Sequence, residues 1–435
     1  MRAAKIKNVN VVTLGCSKNL VDSEWLMGKL NASGIAVVHD SDLLTDMAII
    51  NTCGFVSDAK QESVDTILRF AEAKKNNKIK KLFVMGCLSQ RYRDELKNEI
   101  PEVDGWYGVA DTDALLKSIG VSADSTPGGE LLRMLTTPSH YAYLKIAEGC
   151  DRSCSFCAIP LIRGKNISRP QEEILDEARM LASRGVKELF VVAQDTTWYG
   201  LDIYKKRMLG SLLDALSQIN GIEWIRLHYT FPAGFPDDVL EAINSHQNIC
   251  KYIDIPLQHI SDRILTSMKR VLGGKETREL VEHIRKVIPG VALRTTLITG
   301  YPGETEKEHK ELLKFIEESR FERLGVFAYS AEEGTAAYEL NDNISPAIKN
   351  RRLGEIMELQ QSISEKNNAV FVGKTLKVVI DGAEGDYYIG RTEFDSPEID
   401  NEVLILKKNK VLLPGTFYDV TITGNDVHDL FGKVN

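Results

Sequence analysis

The chain contains no stretch of about 18 or more consecutive apolar residues, so no membrane-spanning helix is expected. Its first residues, MRAAKIKNVNVV, lack the apolar core and small-residue cleavage site of a secretory leader. They run straight into a strand-like pattern, and a cytoplasmic location is the expectation. A surplus of positive charge is also missing: 54 Lys and Arg stand against 62 Asp and Glu, a net charge of -8. Proteins that grip nucleic acid through its phosphates ordinarily carry a basic stripe. The acidity lowers the expectation of an RNA partner and raises that of a basic protein or a small substrate. Cysteine is scarce, seven residues in 435. A large cytosolic chain rarely uses cysteine in disulfides, which leaves metal binding or catalysis as the better reading.

What is present is a 43% hydrophobic fraction, enough for packed cores, and a length that fits two to four domains of roughly 100–200 residues. The first part repeats one unit: a β-rich run, a Cys beside a Gly, then a helix-like stretch. VNVVTLG leads to Cys16 and a helix over about 22–31; MAIINT leads to Cys53 and a helix over about 57–74; KLFVMG leads to Cys87 and SQRYRDELKN. Apolar strands alternating with helices predict a parallel sheet covered on both faces. Ligands of such sheets sit outside the carboxyl ends of the strands, so Cys16, Cys53 and Cys87 are expected to converge on that edge. Residues 120–139, rich in Ser, Thr, Pro and Gly, read as a linker. From His140 to Asn368 six further strands (YLKIAEG, ELFVVAQ, WIRLHYT, YIDIPLQ, ALRTTLITG and LGVFAYS) alternate with helices, for instance over 171–183 and 304–318. This pattern predicts a partial or full (βα) barrel with its site at the strand C-termini. From Phe371 on, TLKVVIDG, DYYIGRTEF, EVLILKK and TFYDVTITG are short β runs without helices, predicting a small closed antiparallel barrel. Tyr387, Tyr388 and Phe394 are read as its filling. This tail is acidic, with seven Lys and Arg against eleven Asp and Glu.

Cys150, Cys154 and Cys157 form a C-x3-C-x2-C run after the first strand of the middle region. Three thiolates this close can hold three irons of a 4Fe–4S cluster, and with no fourth Cys nearby one iron stays open. An open iron can chelate the amino and carboxylate groups of S-adenosylmethionine (SAM), whose reductive cleavage yields a radical. A structural zinc site is the competing reading, but it wants four Cys or His ligands, and His140, the nearest His, precedes the strand. Cys16, Cys53 and Cys87 are again three, and the same argument allows a second cluster with one open iron. Three unrelated buried thiols are the alternative. Cys250 lacks such a context and reads as core.

The run C-x3-C-x-aromatic-C, with Phe156 as the aromatic, resembles the signature of the radical SAM superfamily. Over its whole length the chain resembles the methylthiotransferase family, and TLGCSKNLVDSE, NTCGF, YLKIAEGCDRSCSFCAIPLIRG and VVAQDTTWYG look like the branch that modifies an aspartate of ribosomal protein S-twelve. LHYTFPAGFP departs from that branch, whose members tend to carry Pro-His before the next segment. The resemblance implies an N-terminal cluster domain at 1–125, a radical SAM barrel at 136–368 and a TRAM β-barrel at 371–435. It implies two 4Fe–4S clusters, at Cys16/Cys53/Cys87 and Cys150/Cys154/Cys157, and SAM used twice: once as methyl donor to a cluster-bound sulfur, once as radical source. It also implies a flavodoxin- or ferredoxin-type electron donor, with no membrane.

Further SAM contacts are expected from Phe156, from Gln194 at the end of ELFVVAQ, from Arg294 as a bidentate clamp on the SAM carboxylate, and from the turn Gly300 to Glu304. For each of the polar candidates the plain alternative is a strand end, an ion pair or a tight turn. His228 and His259, also near strand ends, read as structural hydrogen-bond partners. Two rivals to the protein-modifying reading are methylthiolation of transfer RNA, which predicts a basic face on the tail, and a non-catalytic iron–sulfur electron carrier.

Overall fold

The computed structural model describes residues 6–42, 45–121, 132–407 and 410–434. The chain divides into two compact units: residues 1–137 with 148–152 and 158–167, and residues 138–147 with 153–157 and 168–435.

The first unit runs β1 (Asn8–Thr13), α1 (Ser17–Ala32), β2 (Ala36–His39), β3 (Met47–Thr52), α2 (Ser57–Lys75), β4 (Lys81–Gly86), α3 (Cys87–Glu99), β5 (Gly105–Trp106) and α4 (Thr112–Ser118), with α5 (Ile159–Arg163) added from further along the chain. Its five strands form one parallel sheet in the order β2-β1-β3-β4-β5. The central strands are continuous apolar runs because both faces are covered. Val9, Val11, Ile49 and Met85 pack with Leu26, Met27 and Leu30 of α1, while Val12, Ile50 and Val84 pack with Ile67 and Ala71 of α2. Thr13 pairs with Asn51 and Thr52 with Gly86, so β1, β3 and β4 end almost level.

Residues 122–131 of the expected linker lie outside the described residues. Residues 132–137 are not loose, which corrects that part of the expectation. Arg133, buried, donates from Nε to the Glu24 carboxylate at 2.8 Å, the Thr136 N–H donates to the same carboxylate at 2.7 Å, and the Met134 N–H reaches the Glu24 carbonyl at 3.1 Å. Gly28 makes room for this segment, since a Cβ there would stand 2.3 Å from the Leu132 carbonyl oxygen.

In the second unit the long strands are β6 (Tyr141–Lys145), β9 (Glu188–Val192), β10 (Trp224–Leu227), β11 (Ile249–Asp254), β12 (Ala292–Thr299) and β13 (Arg323–Ala328). Two-residue strands β7 (Ala147–Glu148) and β8 (Ile167–Ser168) bracket the segment 149–166. The helices are α6 (Gln171–Ser183), α7 (Leu209–Ser217), α8 (Asp237–Ser245), α9 (Asp262–Ser267), α10 (Gly274–Val287), α11 (Glu306–Ser319) and α12 (Pro346–Ala369). The six long strands make an open, wholly parallel sheet, β13-β12-β11-β10-β9-β6, so the barrel is partial.

The tail forms a closed five-stranded barrel of β14 (Thr375–Glu384), β15 (Tyr387–Arg391), β16 (Val403–Leu406), β17 (Phe417–Asn425) and β18 (Leu430–Val434). Two features differ from the sequence reading. The short strand β18 was not foreseen, because LFGKV carries a Gly and no alternation; and β16 pairs with β18 in parallel, unlike the other antiparallel pairings.

Between β15 and β16, residues 392–401 of the tail reach one face of the six-stranded sheet. Residues two apart share one face of a strand, and here that face is polar and aromatic: Arg226, His228, Tyr252, Asp254 and Arg294. Arg226 donates to the Glu393 carbonyl at 2.6 Å, His228 pairs with the Ser396 hydroxyl at 3.1 Å, and Tyr252 donates to Asp400 at 2.7 Å. Arg294 bridges Asp254 and Asp400, both at 3.3 Å, and Arg323 donates from Nε to Asp395 at 2.9 Å. Deeper still, Glu188 lies between Arg226 at 3.0 Å and Arg391 at 2.8 Å, and Arg391 continues to Asp381, which meets His140 at 2.7 Å. Phe394 belongs to this junction and not to the filling of the tail barrel: it packs with Trp224, Cys250 and Tyr252. Cys250 is buried there as core, and burial raises its thiol pKa.

Glu188, Arg226 and Arg391 are each almost fully buried, and removing one partner of a buried ion pair leaves an uncompensated charge at about 3–5 kcal/mol. Glu188→Gln is therefore expected to lower unfolding stability by that amount. Urea denaturation followed by tryptophan fluorescence checks this, with Trp224 beside Arg226 as reporter; an unmoved midpoint contradicts it.

Candidate functional site

Cys16, Cys53 and Cys87 stand immediately beyond the level ends of β1, β3 and β4. Cys16 caps α1 with extended backbone, and Cys87 is the first residue of α3. At the α1 start the N–H groups of Lys18 and Asn19 favour the Cys16 thiolate. Their glycine neighbours are required by space: a Cβ on Gly15 would lie 2.8 Å from the Cys53 sulfur, one on Gly54 2.8 Å from the Cys87 carbonyl carbon, and Gly86 holds φ at +98°. The Cys53 backbone is clamped by Ser63, which accepts from its N–H at 3.0 Å and donates to its carbonyl at 2.9 Å.

Two residues that the sequence reading did not single out organise this edge. Asn19, fully buried, donates to the carbonyls of Leu14 and Thr52 at 2.8 and 3.0 Å, and its side-chain oxygen lies 3.7 Å from the Cys87 sulfur. Arg163 donates to that same oxygen, to Asp22 at 3.1 Å and to Glu148 at 2.7 Å. The available signal was the run KNLVDSE, in which Asn19, Asp22, Ser23 and Glu24 all take part in buried polar contacts.

The thiols differ in acidity. Burial opposes ionisation of Cys16, but Lys18, Arg163 and the N–H groups of Asn19 and Lys18 outweigh it and lower its pKa. Burial pushes Cys53 up, and it pushes Cys87 up to about 11 despite Arg163. A metal overturns such burial penalties, because a coordinating thiol is deprotonated outright. Among the described residues no three His, Cys, Asp or Glu side chains stand close enough to cage a single ion. A four-iron cubane is held by thiols spaced more widely, with its own irons and sulfides between them.

Cys150 belongs to the first unit, and Cys154 and Cys157 to the second. The Cys150 N–H donates to the Gly164 carbonyl at 3.1 Å, and its sulfur accepts from the Arg152 N–H at 3.4 Å. In the second unit Arg270 donates to the Cys154 sulfur at 3.4 Å. Donors aimed at sulfur suit thiolates that ligate iron. Ser155 is fixed from three sides: its N–H to the Met268 carbonyl at 3.0 Å, its hydroxyl to the Ser267 carbonyl at 2.8 Å and to the Tyr301 hydroxyl at 2.9 Å. Phe156 packs with Ile264, Met268, Tyr301 and Tyr329.

The remaining candidates separate. Gln194 follows the C-terminal end of β9, next to Asp195, whose carboxylate holds the Thr197 N–H at 2.9 Å. Gly300 follows β12 with φ +71°, against Lys349. The Glu304 carboxylate is turned inward: it accepts from the Gly300 N–H, lies 3.4 Å from both the Thr299 hydroxyl and Arg352, and lies 4.0 Å from His259. It ties the turn to α12. Arg294 is the third residue of the eight-residue β12, in register with Asp254 at the end of β11, and its guanidinium is engaged by Asp254 and Asp400, each at 3.3 Å. Strand membership was readable, but these carboxylate partners were not.

Compared with known proteins, residues 8–108 match the uncharacterized protein family UPF0004, residues 144–316 the radical SAM superfamily and residues 372–434 the TRAM domain. The ribosomal protein uS12 methylthiotransferase RimO of Phocaeicola vulgatus is 53% identical over 432 residues, covering 99% of this chain and 100% of that one. RimO of Flavobacterium psychrophilum is likewise 53% identical, covering 99% of each. Among solved structures, the radical SAM methyltransferase TsrM of Kitasatospora setae superposes with a TM-score of 0.56 at 12% identity, over 83% of this chain and 90% of that one, a likeness of fold.

Two expectations follow. In the metal-free protein, iodoacetamide is expected to label Cys16 before Cys87, whose alkylation climbs only toward pH 11; Arg163→Met slows Cys16. Peptide mass spectrometry across a pH series reads the order. At the α11 N-terminus, burial opposes ionisation of Glu308, but Arg263 and the Thr305 N–H prevail and hold its pKa at about 2, below the ordinary 4.5. Stability from this cap is therefore present above pH 4.5 and lost as pH falls toward 2. Glu308→Gln is expected to flatten that part of the acid denaturation profile.

Proposed function

The chain belongs to the RimO family of ribosomal protein uS12 methylthiotransferases, and from that premise we propose that it attaches a methylthio group to the β-carbon of an aspartate in ribosomal protein uS12. The observation that carries the reading is the grouping of six thiols into two sets of three. Each set leaves one iron of a four-iron cluster without a protein thiolate.

We assign a SAM-binding cluster to Cys150, Cys154 and Cys157, and a second cluster, the site of the sulfur to be transferred, to Cys16, Cys53 and Cys87. When bound, the first cluster and SAM supply a radical able to take a hydrogen from an unactivated carbon. The residues of the chain do the positioning. Ser155 and Tyr301 fix the loop between Cys154 and Cys157, and Phe156 anchors it in the core. Gln194 and the turn from Gly300 to Glu304, at the strand C-termini, are the proposed contacts for the rest of SAM. On the other edge, Arg163 and Lys18 favour the Cys16 thiolate, and Ser63 holds Cys53.

The functional divisions proposed are 1–125 for the sulfur-carrying domain, 136–368 for the radical SAM domain and 371–435 for the TRAM barrel. The tail's surplus of four acidic charges (eleven against seven) favours a basic ribosomal protein over transfer RNA. A flavodoxin- or ferredoxin-type protein is the proposed electron source, and the cytoplasm the location. No helix among the described residues is long and apolar enough to cross a membrane.

The test is anaerobic: reconstituted protein, reductant, SAM and uS12, with products weighed by mass spectrometry. The expected result is a gain of about 46 mass units on one aspartate, together with deoxyadenosine. Cys154→Ala is expected to lose both products, and Cys53→Ala to keep deoxyadenosine while losing the modified aspartate. Deoxyadenosine with unmodified uS12 would turn the reading toward transfer RNA.

A further inference from the structure

The geometry points to Arg270 as a positioning residue that holds Cys154 and eases reduction of the cluster there, an inference that rests on the assignment of Cys150, Cys154 and Cys157 just made. Arg270 follows α9 through a tight turn in which Lys269 has φ +56° and the Arg270 N–H returns to the Leu265 carbonyl at 2.8 Å. The turn is anchored by Met268, which is fully buried. Its backbone already grips the cysteine loop, since the carbonyls of Ser267 and Met268 accept from the hydroxyl and N–H of Ser155. Arg270 extends the same grip to the sulfur itself.

Its guanidinium is held in a fixed pose. One Nη donates to the Pro256 carbonyl at 2.6 Å, the other to the Cys154 sulfur at 3.4 Å, and the group lies 4.1 Å over the Phe231 ring. Arg270 is only 9% exposed, its buried Nε has no hydrogen-bond partner, and no carboxylate among the described residues pairs with it. A buried cation without a counter-charge is expensive, and the acceptor it faces is a cysteine sulfur. A four-iron cluster on three thiolates carries one negative charge when oxidised and two when reduced. A fixed cation donating to one of those sulfurs therefore stabilises the reduced form more, and hydrogen bonds to sulfur are among the factors that set such potentials.

The experiment is a potentiometric titration read by electron paramagnetic resonance. The parent is the full chain with Cys16, Cys53 and Cys87 replaced by Ala, so that one cluster can be reconstituted. At the potential where the parent is half reduced, Arg270→Met is expected to show a reduced-to-oxidised ratio about tenfold lower, about 59 mV for a one-electron couple. Arg270→Lys keeps the charge but cannot stack on Phe231 while reaching both Pro256 and the sulfur, and is expected to fall between. Both variants titrating with the parent would overturn the role. If Arg270→Met binds no iron, Arg270→Lys decides alone, and a parental potential in it is the overturning result. A parent that reconstitutes no reducible cluster would instead remove the cluster assignment, and this role with it.

Discussion

Glu188 offers one carboxylate to two guanidinium groups, Arg226 at 3.0 Å and Arg391 at 2.8 Å, and Arg391 is shared with Asp381 at 2.6 Å. Arg226 comes from β10, next to the β9 strand that Glu188 opens, and Arg391 from the tail barrel, so a single buried anion joins these two pieces of the second unit. The rings of Phe190, Trp224 and Tyr252 lie around Arg226 at 5.7, 5.6 and 5.0 Å. Asp381 and His140 carry the network on, and Arg323–Asp395 and Arg294–Asp400 repeat the device along the sheet.

The first unit solves a different problem with similar parts. Three thiols must sit together on one edge, though burial raises the pKa of two of them. Level strand ends bring the backbones into register, glycines remove the Cβ atoms that would collide, and Asn19 ties two strand ends together beneath the sulfurs. Arg163 supplies positive charge without competing for metal, because a guanidinium has no lone pair to donate. Its own charge is balanced by Asp22 and Glu148.

Local patterns made much of this readable. The strand–Cys–Gly–helix repeat located the first sheet and its edge, because apolar runs buried on both faces have an unmistakable composition; α6 came out at its observed bounds, Gln171–Ser183. The open six-stranded sheet and the closed tail barrel were likewise legible from alternation and its absence. What was hidden depended on partners far away in sequence. Arg163 meets Asn19 across 144 positions and Arg226 meets Glu393 across 167, distances over which no periodicity informs. The partners of Arg294 were hidden for the related reason that a strand pattern shows membership and not that Asp254 and Asp400 stand beside it. Residues 132–137 were read as linker from composition, while one buried pair, Glu24 with Arg133, determines their place.

The insertion of residues 392–401 beneath the sheet also imposes an order on synthesis. When the strand containing Arg226 leaves the ribosome, the Glu393 carbonyl it needs is still 167 residues from being made; Arg294 waits 106 residues for Asp400, and Arg323 waits 72 for Asp395. Domains ordinarily fold as they emerge, N-terminal first, but until the tail is made Arg226 and Arg294 have only Glu188 and Asp254 as carboxylate partners and Arg323 lacks Asp395, so part of the polar face of this sheet stays unsatisfied. The first unit draws none of these partners from the tail, so it is free to fold during translation, and the second unit becomes complete only once nearly the whole polypeptide exists. A prematurely terminated chain would then carry a folded first unit attached to a second whose sheet lacks its tail partners.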